Sequence, residues 1–195
     1  MAFLPALFAA RGLELLVGKL WLAMGGLPAH LFEAFVMAAF VEEFSKWAIL
    51  FSLVYWWSEF DEPLDGVVYG VALALGFATV ENVLCVVRDG LGIGLLRAVF
   101  AVPAHALFGA AGGFYFGRAK FGEPSKKMRR LALALLVPIA FHGVYDFTLV
   151  ELRGTWMYVV VGLFSIAVWI FVLRRVHRAQ SESPFRYNQS SGGGS

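Results

Sequence analysis

The chain has 195 residues, of which 59% are hydrophobic and only 15% charged, with a formal net charge of +2. Soluble domains carry about 25% charged and 45–50% apolar residues, so a water-soluble globule is excluded. One cysteine rules out an internal disulfide. A membrane-crossing helix needs about 20 apolar residues, or ~30 with its connection, so this length accommodates about six crossings.

In chain order, the stretch 3–24 is apolar but interrupted by Arg11, Glu14 and Lys19. That pattern suits either a span or an amphipathic helix lying in the interface. No basic region precedes the run and no clear cleavage site comes after it, which disfavours a cleaved signal peptide. Five longer apolar runs come next, at roughly 30–57, 65–87, 95–117, 131–150 and 156–173, each bounded by charges, Gly or Pro. The expected fold is an all-α polytopic transmembrane bundle of five to six spans. Residues 1–178 form one transmembrane domain. Residues 179–195 form a polar tail, expected to be disordered, and its closing SSGGGS reads as a linker or tag remnant.

The basic residues predict the orientation. The connector 118–130 carries Arg118, Lys120, Lys126, Lys127, Arg129 and Arg130, and the tail adds Arg174, Arg175, Arg178 and Arg186. The opposite connections carry only Arg88, Arg97 and Arg153. The positive-inside rule then puts the 118–130 connector, the acidic SEFDEPLD connector and the C-terminus in the cytoplasm. These basic residues flank spans, where they set topology, and no nucleotide-binding glycine loop or zinc-finger spacing accompanies them.

Ionisable residues inside a bilayer cost several kcal/mol and call for a reason. The span 30–57 holds Glu42, Glu43 and Lys46, and the span 65–87 holds Glu81 and Asn82. His105 lies in 95–117, and His142 and Asp146 in 131–150. The span 156–173 has none and reads as a lipid-facing support. At about 1.5 Å per residue, Glu42 lies about 18 Å, His105 about 15 Å and His142 about 16 Å from the ends of their spans. All three are therefore expected near the bilayer midplane. A lone buried His is ordinarily a packing residue, and Glu42 with Lys46 at i+4 is ordinarily an ion pair. Several carboxylates and two histidines at one level instead favour a shared site, because structural glue would use Ser, Thr or Asn.

Spacing adds detail. His142 and Asp146, four apart, share one helical face. If Lys46 holds Glu42, Glu43 is left freer to act. Small residues form two stripes, 101-105-109-113-117 (Ala, His, Gly, Gly, Gly) and 66-70-74-78-82 (Gly, Gly, Ala, Ala, Asn). Such stripes let helices approach closely, so His105 and Asn82 should face other helices. Pro103 and Pro138 precede the two histidines and can kink their helices, although Pro is common in membrane helices in any case.

Four blocks in order carry a family likeness: VEEFSK (Glu42, Glu43, Lys46), DGVVYGVALALGFATVEN (Asp65 to Asn82), PAHALFG (His105) and FHGVYD (His142, Asp146). Together they cover residues 40–146. The chain resembles the PrsW family of intramembrane proteases, within the wider superfamily that includes the CAAX prenyl endopeptidases. The resemblance implies an all-helical membrane fold, residence in a prokaryotic cytoplasmic membrane, and cleavage of single-pass, membrane-anchored substrates. The best-known role in the family is the trimming of an anti-sigma factor. The superfamily's double-Glu block usually ends in Arg, and its second block usually reads Phe-x-x-x-His. Here the first ends in Lys46, as PrsW-like sequences do, and Phe77 is followed by Glu81.

The expected chemistry is hydrolysis of a peptide bond in or near the membrane. The expected catalytic residues are Glu42, Glu43, Lys46 and Asn82. The candidate ligands of a divalent metal, Zn²⁺ by preference, are His105, His142, Glu81 and Asp146. A bound Zn²⁺ lowers the pKa of its water to about 7 and polarises a carbonyl, leaving one glutamate as general base. Without metal, Glu43 and His105 can activate water while His142 or Asn82 stabilises the oxyanion. The alternative is a proton- or cation-coupled transporter, which also uses intramembrane Glu, Asp and His. Against it stand a short chain, no visible inverted repeat, and polar groups gathered at one level.

Overall fold

In the computed structural model, residues 25–185 are described, and all of their regular structure is helical. The stretch 3–24 and residues 186–195 of the tail lie outside the described residues.

The first helical rod runs without a break from Gly26 to Val54, but it alternates in winding. Helix α1 (Gly26–Phe32) passes into a π segment (Glu33–Phe40), then helix α2 (Val41–Ile49), then a second π segment (Leu50–Val54). The junction residues Phe32, Phe40 and Ile49 all keep right-handed helical angles. π turns are rare and concentrate at functional sites. The first π segment ends immediately before the turn of α2 that bears Glu42 and Glu43, so its wider winding sets the direction in which that pair points.

Four further helices are long and apolar enough to cross a membrane. Helix α3 (Pro63–Asp89) starts at a capping box, in which Glu62 and Asp65 satisfy each other's backbone amides, with Pro63 in the first turn. Gly90, at φ 91°, makes the tight reversal into helix α4 (Leu91–Phe121), which runs unbroken through Pro103. A short 3₁₀ turn at Pro124–Lys126 leads into helix α5 (Lys127–Glu151), unbroken through Pro138. Helix α6 (Gly154–Ser181) continues past Ala179 and Gln180. The turn after it folds back on the bundle, where the Ser183 hydroxyl meets Glu62 and Glu182 pairs with Arg118 at 3.3 Å.

The small-residue stripes form the α3–α4 seam. A Cβ on Gly66 would strike the Gly113 carbonyl, one on Gly70 that of Gly109, and one on Gly117 that of Pro63. The backbones therefore touch, which only glycine permits. Continued along the antiparallel pair, this seam sets His105 level with Ala74 and Ala78, and Glu81 about one turn further on, beside Arg97 and within side-chain reach of His105. Helix α5 closes in by the same device. Gly112 of α4 abuts Pro138, and Gly143 lies under the Phe35 ring of the first π segment.

Helix α6 packs unevenly. Its buried residues, Val161, Val168, Val172 and Ala179, lie from its first third onward, whereas Trp156, Tyr158 and Leu163 are exposed. The first part of α4 is equally bare, with Leu95, Leu96, Val99 and Phe100 exposed, while its second half is largely buried. Among the described residues, the bundle is thus packed tightly at the end bearing the 118–130 connector and loosely at the other.

Candidate active site

Four helical elements converge on one polar cluster: the first rod through Glu42, Glu43 and Lys46, α3 through Glu81, α4 through Arg97 and His105, and α5 through His142 and Asp146. Six contacts link them in a chain. Arg97 donates to Glu81 Oε1 at 2.7 Å, and Glu81 Oε2 lies 3.4 Å from His105 Nε2. Lys46 Nζ then donates to His105 Nδ1 at 3.0 Å and to Glu43 Oε1 at 2.6 Å. His142 Nδ1 lies 3.0 Å from the same Glu43 oxygen, and its Nε2 lies 3.2 Å from Asp146 Oδ2.

Donor logic orients the first ring. The Lys46 ammonium can only donate, so His105 Nδ1 accepts and its Nε2 carries the proton towards Glu81. Both rings are clamped by neighbours. Their centroids lie 4.9 Å apart at 83°, Phe108 stacks on His142 at 5.4 Å, and Lys46 lies over the Phe77 ring at 4.6 Å. The pairing of Lys46 differs from the sequence expectation. Its short bond is to Glu43, and Glu42 stands 3.8 Å away. Both spacings are available on a helix, and the position of His142 on α5 draws Glu43 into the interior.

The two glutamates consequently occupy different environments. Glu43 and Lys46 have side chains 4% and 5% exposed and lie behind the histidines. Glu42, at 16%, lines a cavity of about 570 Å³ together with Glu81, Arg97, His105, His142 and Asp146. Among the described residues, Glu42 Oε2 is buried without a hydrogen-bond partner. Glu42, His105 and His142 each offer one ligand atom, and those atoms lie within 4.8 Å of one another. One carboxylate oxygen and two imidazole nitrogens are the donor types a catalytic zinc takes. An orphaned buried oxygen beside two imidazoles fits a cation better than it fits an empty apolar pocket. The residues present suit the metal, which would take the place of the His105 Nε2 proton now directed at Glu81.

Of the other expected ligands, Glu81 and Asp146 each hold the outer nitrogen of one histidine and also line the cavity. Asn82 does not line it, and its amide donates to the Gly94 carbonyl at 3.1 Å, tying α3 to α4. Helix α6, read from sequence as a support, supplies cavity wall through Met157, Tyr158, Val161, Gly162 and Ser165. Arg97 and Tyr145 also face the cavity and were missed as site residues. Arg97 was legible, because a charge within the predicted span 95–117 invites the same cost argument as Glu81.

Comparison with known proteins agrees with this geometry. A family model described as PrsW family intramembrane metalloprotease matches residues 1–173. The chain belongs to the PrsW family. Among its curated relatives, Protease PrsW of Geobacillus kaustophilus is 45% identical over 148 residues, covering 76% of this chain and 64% of that protein. Protease PrsW of Bacillus subtilis is 41% identical over 150 residues, 77% of this chain and 68% of its own. That of Clostridioides difficile is 36% identical over 164 residues, 81% and 68% respectively. The chain thus spans about two thirds of the length of these PrsW relatives. No solved structure matches it. Family membership and the four apolar helices make it an integral membrane protein.

Proposed function

We propose that this PrsW-family chain is an intramembrane endopeptidase that hydrolyses peptide bonds of membrane-anchored proteins. The observation that carries the reading is the orphaned Glu42 oxygen, facing a cavity beside two clamped histidines. Bound by Glu42, His105 and His142, a divalent metal such as Zn²⁺ would supply an activated water and polarise the scissile carbonyl. Around that position the chain's own residues divide the work. Glu43 accepts from His142 Nδ1 and fixes the ring, the second-layer role carboxylates play behind ligating histidines. Lys46 ties Glu43 to His105, so both rings are set by one ammonium. Glu81 and Asp146, on the cavity side, are placed to take and return a proton during attack and leaving-group departure. Asn82 acts through the α3–α4 hairpin, holding its far end closed.

Family membership favours hydrolysis over transport, and a cluster gathered in one cavity supports the same choice. In this reading the site lies near the bilayer midplane of a prokaryotic cytoplasmic membrane, with the basic connector 118–130 and the C-terminus in the cytoplasm. Substrates are single-pass proteins, an anti-sigma factor being one instance, cut where helix-breaking residues expose the backbone. The test is cleavage of a single-pass reporter by purified protein in detergent, with Glu42→Gln and His105→Ala beside the parent. Loss of cleavage in both variants, with folding retained, is expected. Unaltered cleavage by both overturns the site, and Glu81-dependent ion flux in liposomes would revive the transporter.

A further inference from the structure

The cavity wall includes a glycine without a packing role among the described residues. Gly162 lies on the cavity wall, in the first third of α6. A Cβ built there meets no atom of the described residues within 4 Å. This contrasts with Gly66, Gly70, Gly109 and Gly113, each of which touches backbone. Glycine inside a helix costs about 1 kcal/mol relative to alanine, and nothing inside the described fold recovers that cost at position 162. On either side the walls are apolar and bare. Leu96 and Phe100 of α4 face Tyr158 of α6 across the cavity, exposed by half or more. The gap is continuous with Glu42, His105 and His142 at its inner end.

We propose that the apolar segment of a single-pass substrate enters sideways between the first part of α4 and the first part of α6, seating its backbone against Gly162. This rests on the protease reading above. Three features select the occupant. A wall of Leu, Phe and Val accepts hydrocarbon side chains, and the glycine notch accepts a closely approaching backbone, as in small-residue contacts between membrane helices. The inner end presents the polar groups that a peptide bond would meet. Arg97, at the same end of α4, adds a guanidinium whose Nε is buried and unpartnered among the described residues. It is available to a carbonyl of an incoming segment whose helix has opened. Because α6 is anchored from Val161 onward, its first turns can part from α4 without dismantling the core.

The test has two arms. In the first, Gly162→Ala and Gly162→Leu are compared on a single-pass reporter, whose apolar segment carries one Gly-Pro interruption, and on a short peptide spanning the same bond. Gly162→Leu should raise KM for the reporter about tenfold or more and Gly162→Ala by a smaller factor, while the peptide changes less than about twofold with either. The second arm needs no catalysis. In a Cys85→Ser, Glu42→Gln background, Gly162→Cys is crosslinked to cysteines placed along the reporter's apolar segment. A crosslink confined to one face of that segment is expected. Crosslinking of a reporter that the parent never cleaves would leave the entry route standing and overturn the protease reading. Equal losses on reporter and peptide, or no crosslink to a reporter that the parent cleaves, would overturn the entry route.

Discussion

Lys46 Nζ sits 2.6 Å from Glu43 Oε1 yet 3.8 Å from Glu42, so one ammonium separates two adjacent glutamates into a buried strut and a cavity-facing group. Breaking a buried pair by removing one partner costs about 3–5 kcal/mol, because the other charge is left uncompensated. Glu43→Gln should therefore lower stability by about 2–4 kcal/mol, whereas Glu42→Gln should leave it within about 1 kcal/mol of the parent. Denaturation in detergent read beside cleavage separates them. Activity should vanish in Glu42→Gln at parental stability, and a large stability loss there would contradict the division.

The same strut predicts a coupling. Lys46→Met alone leaves the buried Glu43 without its cation, and Glu43→Gln alone leaves the lysine without its close carboxylate, Glu42 standing 3.8 Å away. The double variant strands neither charge, so its stability loss should fall short of the sum of the two single losses by about 1–3 kcal/mol. Activity should not return, because His105 and His142 would both lose a fixed partner. Strict additivity of the two losses would sink the strut.

Metal analysis gives a third expectation. Purified protein should carry about one equivalent of divalent metal per chain, and a strong chelator should remove metal and cleavage together. His105→Ala, His142→Ala and Glu42→Ala should each abolish retention. Glu43→Gln, acting behind His142, should weaken affinity about 10–100-fold. Parental metal content in all three ligand variants would refute the assignment of Glu42, His105 and His142.

A fourth expectation concerns the α3–α4 seam. Gly70→Val or Gly113→Val would drive a side chain into opposing backbone, with no flexible neighbour to yield. Each should cost about 3 kcal/mol or more in stability, or prevent folding. Melting temperatures beside that of Gly162→Ala, expected near parental, would check whether glycine matters only where backbones touch.

Most of the bundle was legible because hydropathy and the small-residue stripes are local patterns. The stripes named Gly66, Gly70, Gly109 and Gly113 as a close interface, and the structure packs them so. The ionisable residues stood out because charge in hydrocarbon needs a reason. Which glutamate meets Lys46 was not legible. Both lie within reach on a helix, and the choice is made by His142, 99 positions further along the chain. The π winding ahead of Glu42 left no recognisable mark in the residues Glu33–Phe40. Helix α6 was underrated because a cavity wall made of Met, Tyr, Val, Gly and Ser looks like any lipid-facing surface until α4 stands opposite it.

The Ser183 hydroxyl rests on Glu62, the residue that caps α3. Glu81 rides on α3, and His105 rides on the α4 backbone fused to it. A purification handle or fluorescent fusion placed just beyond Ser183 would therefore tug on the hairpin that carries Glu81, Arg97 and His105. Attachment at that end should be benchmarked for turnover before any variant is judged with it.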